Sequence, residues 1–142
     1  MGAYLNPGGE EGLRIINGTY IDKTGLLGLI NRAIGTTKNL ICISCPHRFG
    51  KSYAAQMLCA YYDHTCNTEE MFAPYKIAED ESFRRHLNAY HVINLDMSSF
   101  VSEARSRGGS LEKIPAAITE ALLGEVREIY PELSKTHLFL LW

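Results

Sequence analysis

Nothing in this 142-residue sequence marks it for a membrane or for export. No apolar run approaches the roughly 20 residues that a membrane helix requires. Met1 to Glu11 carry Gly, Pro and Glu where an export signal needs a basic stretch and then an apolar one. Excess positive charge is lacking as well. The formal net charge is -2, so no general pull toward nucleic acid or anionic lipid exists. Cysteine is too sparse for a disulfide frame, and Cys42, Cys45, Cys59 and Cys66 are expected to be free thiols. No internal repeat or low-complexity tract occurs. These absences together predict a cytoplasmic protein without a membrane.

What is present suits one ordinary globule: 46% hydrophobic residues for a core and 21% charged residues for a surface. Residues 1–12 are glycine-rich and read as loosely ordered. Leu26, Leu27, Leu29, Ile30, Ala33 and Ile34 recur at helical spacing, with Thr24 as N-cap and Gly35 as stop. Asn39 to Ser44 is a short apolar run without alternation, which predicts a strand covered on both faces. Ser52 to Tyr62 reads as a helix, a short helix is expected over Glu81 to Ala89, and Tyr90 to Met97 reads as a second strand. Arg105 to Ser110 reads as a flexible loop. Leu111, Ile114, Ile118, Leu122, Val126 and Ile129 mark a long helix that Pro131 ends. Alternating helices and strands predict an α/β fold with parallel strands. Two strands are few, and their sheet would have open edges able to pair with a protein partner or a second copy.

The chemistry centres on Cys45-Pro46-His47-Arg48-Phe49-Gly50-Lys51-Ser52. A phosphate loop reads G-x-x-x-x-G-K-[ST] between a strand and a helix. Here the last three positions match, and Cys45 stands in place of the first Gly. Amides at a helix N-terminus form an anion cradle. Gly50 lets the backbone approach phosphates closely. Lys51 would meet the β- and γ-phosphates and the Ser52 hydroxyl would bind Mg²⁺. The candidate nucleotide-binding residues are Pro46, His47, Arg48, Phe49, Gly50, Lys51, Ser52 and Tyr53. Asp96, at the end of the second expected strand, is a further candidate metal ligand, or else a cap for the turn at Ser98 and Ser99. Asp22 and Lys23 are read first as an N-terminal box for the Leu26 helix, and second as nucleotide contacts. Cys42-x-x-Cys45 with Cys59, His64 and Cys66 has poor spacing for zinc and reads as buried structural cysteine.

Tyr20-Ile21-Asp22-Lys23-Thr24, the 45–52 loop, Ala60-Tyr61-Tyr62 and Val92-Ile93-Asn94-Leu95-Asp96 together resemble the AAA-ATPase-like family, over about residues 4–130. Members are bacterial and often carry a C-terminal nuclease-like domain of the PD-(D/E)XK type. The family usually lacks the first Gly of the loop, and this chain has Cys45 and His47 where the family has arginines. The resemblance implies a three-layer αβα P-loop fold with a parallel sheet, binding ATP and Mg²⁺ through its Walker A loop. Nucleic acid enters only by analogy with the family. No apolar strand ending in Asp-Glu, the Walker B pair, is found. Residues 1–142 are therefore expected to be the front part of such a domain, incomplete or truncated, binding ATP rather than hydrolysing it. The contrasting expectation is a non-catalytic interaction module or gene remnant.

Overall fold

The computed structural model describes residues 2–8, 21–44, 46, 50–106, 108 and 110–131. They belong to two units, Gly8–Val92 and Met1–Pro7 with Ile93–Trp142. Leu13 to Ile16, Tyr20, and His137 to Trp142 lie outside the described residues.

The first unit contains α1 (Gly25–Ala33), α2 (Lys51–Tyr62), and the short α3 (Glu69–Phe72) and α4 (Phe83–His86), with a 3₁₀ turn at Lys76–Glu79. Thr24 occupies the N-cap position of α1, but its hydroxyl does not cap the helix. It donates to Asp22 and accepts from the Ile77 amide. The chain leaves α1 through Gly35, whose φ of 75° is the left-handed conformation that glycine adopts without penalty. Leu27 of α1 and Met57, Ala60, Tyr61 and Tyr62 of α2 are buried with Phe72, Ile77 and Phe83. Tyr61 sits edge-on to Tyr62 and Phe72, with ring centroids 4.8 and 5.4 Å away. Each such fully buried large side chain contributes about 1.5–3 kcal/mol by transfer from water.

Polar groups at both ends of this core are paired. The Asn31 amide donates to the Tyr61 hydroxyl at 3.1 Å and to Ser82 Oγ at 2.9 Å, and its carbonyl accepts the Tyr62 hydroxyl at 2.7 Å. At the C-terminal end of α2 the Asn88 amide donates to the carbonyls of Ala60 and Asp63, each at 3.0 Å. Asp63 is fully buried, and its carboxylate accepts from the amides of Gly8 and Thr65, both at 2.9 Å, and from the Thr65 hydroxyl.

His86, on α4, is buried beside Tyr90, whose hydroxyl lies 2.5 Å from Nδ1. Burial, and then the charge of Arg85, hold the imidazole below its ordinary pKa. The unfolded chain therefore takes up this proton at higher pH than the folded chain does. Stability is complete above about pH 6.5, the unfolded value, and declines below it until the folded value is passed. Urea melts at pH 7.5 and 5.5 should differ less in His86→Gln than in the parent chain. An equal difference would remove His86 from the acid response.

The second unit contains α5 (Met97–Ser106), a 3₁₀ turn at Leu111–Lys113, and α6 (Ile114–Ile129). Pro115 falls in the first turn of α6, where its missing N–H has no intrahelical partner to lose. Ile114, Ile118 and Leu122 of α6 bury Phe100 of α5, and Tyr4 packs on the cluster. Leu111, expected on the same stripe, is 52% exposed. Glu125 ties down the N-terminal segment: its carboxylate accepts the amides of Ala3, Tyr4 and Leu5 at 2.8, 3.0 and 2.8 Å.

The expected α/β fold is not found. Among the described residues no sheet exists, and hence no three-layer αβα arrangement. Strand pairing is confined to two isolated bridges, Asp63 with Tyr90 and Leu5 with Ile93. The run 39–44, expected to be a covered strand, is exposed throughout, with Leu40 95% exposed. An apolar run becomes a buried strand only if neighbours supply ladders on its edges and cover its faces. The described residues supply neither. Likewise the segment 90–97 makes single bridges and then enters α5, a helix the sequence reading missed. The open sheet edge expected to recruit a partner has no counterpart among the described residues. No helix among the described residues is long and apolar enough to cross a membrane.

Candidate functional site

The site begins where α2 begins. Gly50 is the N-cap of α2, with φ 76° and ψ 32°. That left-handed conformation strains any residue with a Cβ. A Cβ at position 50 would also meet Lys23 Nζ at 3.0 Å, so the lysine tip would have to give by a few tenths of an ångström. Glycine therefore opens the head of the helix, with no side chain to cap it and no acid in the first turn. The first amides of a helix lack intrahelical partners and form the positive end of its dipole.

Lys51 is the first residue of α2, and its ammonium donates to the Pro46 carbonyl at 3.2 Å. Placing a lysine here runs against the helix dipole by about 0.3–1 kcal/mol. An anion bound there would offset that cost by attracting both the ammonium and the helix end. Ser52 and Tyr53 follow on the first turn, both exposed, Tyr53 by 50%. Of the other expected loop residues, Pro46 is exposed, while Cys45, His47, Arg48 and Phe49 lie outside the described residues.

Lys23, read from the sequence first as part of a helix box and second as a nucleotide contact, lies beside Gly50. Its neighbour Asp22 explains how it is placed. Asp22 Oδ1 accepts the Thr24 amide at 2.8 Å, and Oδ2 accepts the Lys76 amide at 3.1 Å. Burial alone would raise the Asp22 pKa, but the hydrogen bonds from Thr24 and Lys76 outweigh it and hold the carboxyl below its ordinary value. No pattern within residues 20–24 announces that Lys23 reaches residue 50. The signal lay only in the family block that contains it.

Asp96 belongs to the other unit. Its carboxylate accepts the Ser98 amide at 2.9 Å, the Ser98 hydroxyl, and the Ser99 hydroxyl at 3.1 Å. The Ser98 hydroxyl, then the Ser98 amide, then Ser99 lower its pKa. These bonds cap the head of α5.

Cys59 is buried, and desolvation followed by the nearby Asp63 charge pushes its thiol up to about 11. Cys66 is buried and Cys42 exposed, both as free thiols. Among the described residues no group of three His, Cys, Asp or Glu side chains stands together to hold a metal.

The head of α2 thus brings together a left-handed glycine, the Lys51 ammonium on the Pro46 carbonyl and the Lys23 ammonium beside the glycine, groups whose chemistry suits an anion. The model of the AAA-ATPase-like family, described as predicted AAA-ATPase, matches residues 11–137, and the chain belongs to that family. No curated protein and no solved structure matches the chain.

Proposed function

We propose that the chain binds ATP with Mg²⁺ through the 46–53 loop and the head of α2. The observation that carries this is the joint geometry of Gly50 and Lys51: left-handed backbone at the N-cap, and an ammonium 3.2 Å from the Pro46 carbonyl. The residues fit the group. Position 50 carries no side chain between the head of α2 and the Lys23 ammonium, and the first amides of a helix are a general anion-binding group. Lys51 would neutralise phosphate charge, and the Ser52 hydroxyl would enter the Mg²⁺ shell. His47, Arg48 and Phe49 would add contacts from the same stretch of sequence, and Tyr53 offers an exposed ring on the first turn of α2. Bound Mg²⁺ would screen the charge of the triphosphate tail. Binding, not turnover, is the property proposed.

Lys51→Ala should weaken binding of a fluorescent ATP analogue about 10- to 100-fold, the worth of a lost charge-assisted hydrogen bond. It should also abolish the stabilising shift that Mg-ATP gives in a thermal melt. Unchanged affinity in that variant would sink the assignment.

A second reading, an interaction module, is favoured by the exposed run in which Leu40, Ile41 and Ile43 are 95%, 45% and 47% exposed. Apolar side chains this close together are disfavoured in water. Self-association in size-exclusion, with no ATP-dependent melting shift, would favour that reading over nucleotide binding.

A further inference from the structure

We propose that Lys23 is a second phosphate-contacting ammonium of the same site, beside Lys51. The inference rests on the triphosphate reading above. Its basis is distance: Lys23 Nζ lies 3.0 Å from where a Cβ of Gly50 would stand. Since that Cβ would be about 1.5 Å from its Cα, the ammonium sits within about 4.5 Å of the backbone at residue 50. A phosphate held by amides at the head of α2 falls within reach of this group.

The approach is built in by the backbone on either side of Lys23. Asp22 binds the Thr24 amide at 2.8 Å, the Thr24 hydroxyl at 2.7 Å and the Lys76 amide at 3.1 Å. The Thr24 hydroxyl in turn accepts the Ile77 amide at 3.2 Å. The Leu26 amide donates to the Lys23 carbonyl at 3.0 Å. Residues 22–26 are thereby clasped to the 3₁₀ turn at Lys76–Glu79, and the Lys23 stem starts from a fixed point. Only the side-chain torsions of Lys23, not its backbone, remain to be ordered in delivering the ammonium. The triphosphate tail has more charged oxygens than one ammonium can serve, because an ammonium has three donors.

The test uses the full chain, fluorescent Mg-ATP, and two competitors, unlabelled ATP and inorganic tripolyphosphate. Lys23→Met should weaken both competitors about tenfold, as one lost charge-assisted hydrogen bond requires, and Lys23→Arg should restore most of the affinity. The salt dependence of binding should also flatten in Lys23→Met. Ligand-free melting checks that each variant is folded. Weakened ATP with unaltered tripolyphosphate would assign Lys23 to base or ribose and overturn the proposal. Unaltered affinity for both would overturn it too, leaving the Lys51 site standing. A parent chain that binds neither competitor removes the triphosphate reading itself.

Discussion

Asn88→Ala should lower the unfolding free energy by about 3 kcal/mol, since several hydrogen bonds worth roughly 1 kcal/mol each are lost at a helix end. The last carbonyls of α2 have no intrahelical donors. Asn88 supplies them: its side-chain amide donates to Ala60 and Asp63 at 3.0 Å, and its backbone amide donates to Tyr61 at 2.7 Å. Its side-chain carbonyl accepts the Thr68 amide at 3.1 Å, and Thr68 is fully buried. The residue also holds φ at 49°, a conformation asparagine tolerates and alanine does not. Asn88→Gly keeps the backbone and loses the amide, so it should recover about 1 kcal/mol of the alanine loss. Asn88→Asp keeps the shape but turns a carboxylate on the same carbonyls, and should be as damaging as alanine. Urea unfolding of the three variants checks the order. A loss below about 1 kcal/mol for alanine would mean that water replaces the side chain at this cap.

Asn31→Ala should be of similar severity, about 2–4 kcal/mol, because it removes the hydrogen-bond acceptor of the buried Tyr62 hydroxyl as well as deleting an amide. Tyr61 and Tyr62 are 0% and 8% exposed, and burial raises the pKa of both, so neither phenol escapes its need for a partner by ionising. Tyr62 has its hydroxyl bond to Asn31 at 2.7 Å, whereas Tyr61 also donates to the Phe83 carbonyl at 2.8 Å. Tyr62→Phe in the Asn31→Ala background should therefore be less harmful than in the parent, by about 1 kcal/mol. Denaturant melts of the four proteins in this cycle measure the coupling. Strict additivity would show that the two side chains do not depend on one another.

Helices α1 and α2 were legible because their signals are local. The 3.6-residue recurrence of Leu26, Leu27 and Ile30 and the stop at Gly35 act within a few residues of one another. The stripe Ile114, Ile118 and Leu122 was legible for the same reason. α5 was not. Its sequence, MSSFVSEARS, is serine-rich and a weak helix former. Asp96 caps its first turn, and Phe100 anchors it on α6, a contact with no local signature. The two strands failed for a related reason. Short apolar runs do not distinguish a covered strand from an unpaired segment. Of the candidate site, Gly50, Lys51 and Ser52 were readable as a contiguous motif, whereas the position of Lys23 beside Gly50 was not.

By itself the sequence determined the family, a helix from Ser52 to Tyr62 that the structure starts one residue earlier, and the Gly-Lys-Ser residue types at its head. Those follow from short-range order, in which neighbours along the chain fix the backbone and its dipole. Only the tertiary structure decided that Asn31 and Asn88 lie in networks rather than on the surface, that Lys23 reaches residue 50, and that Leu40 lies open to solvent. Each of these depends on segments far apart in the chain meeting or failing to meet, and residue order along one segment carries no term for that encounter.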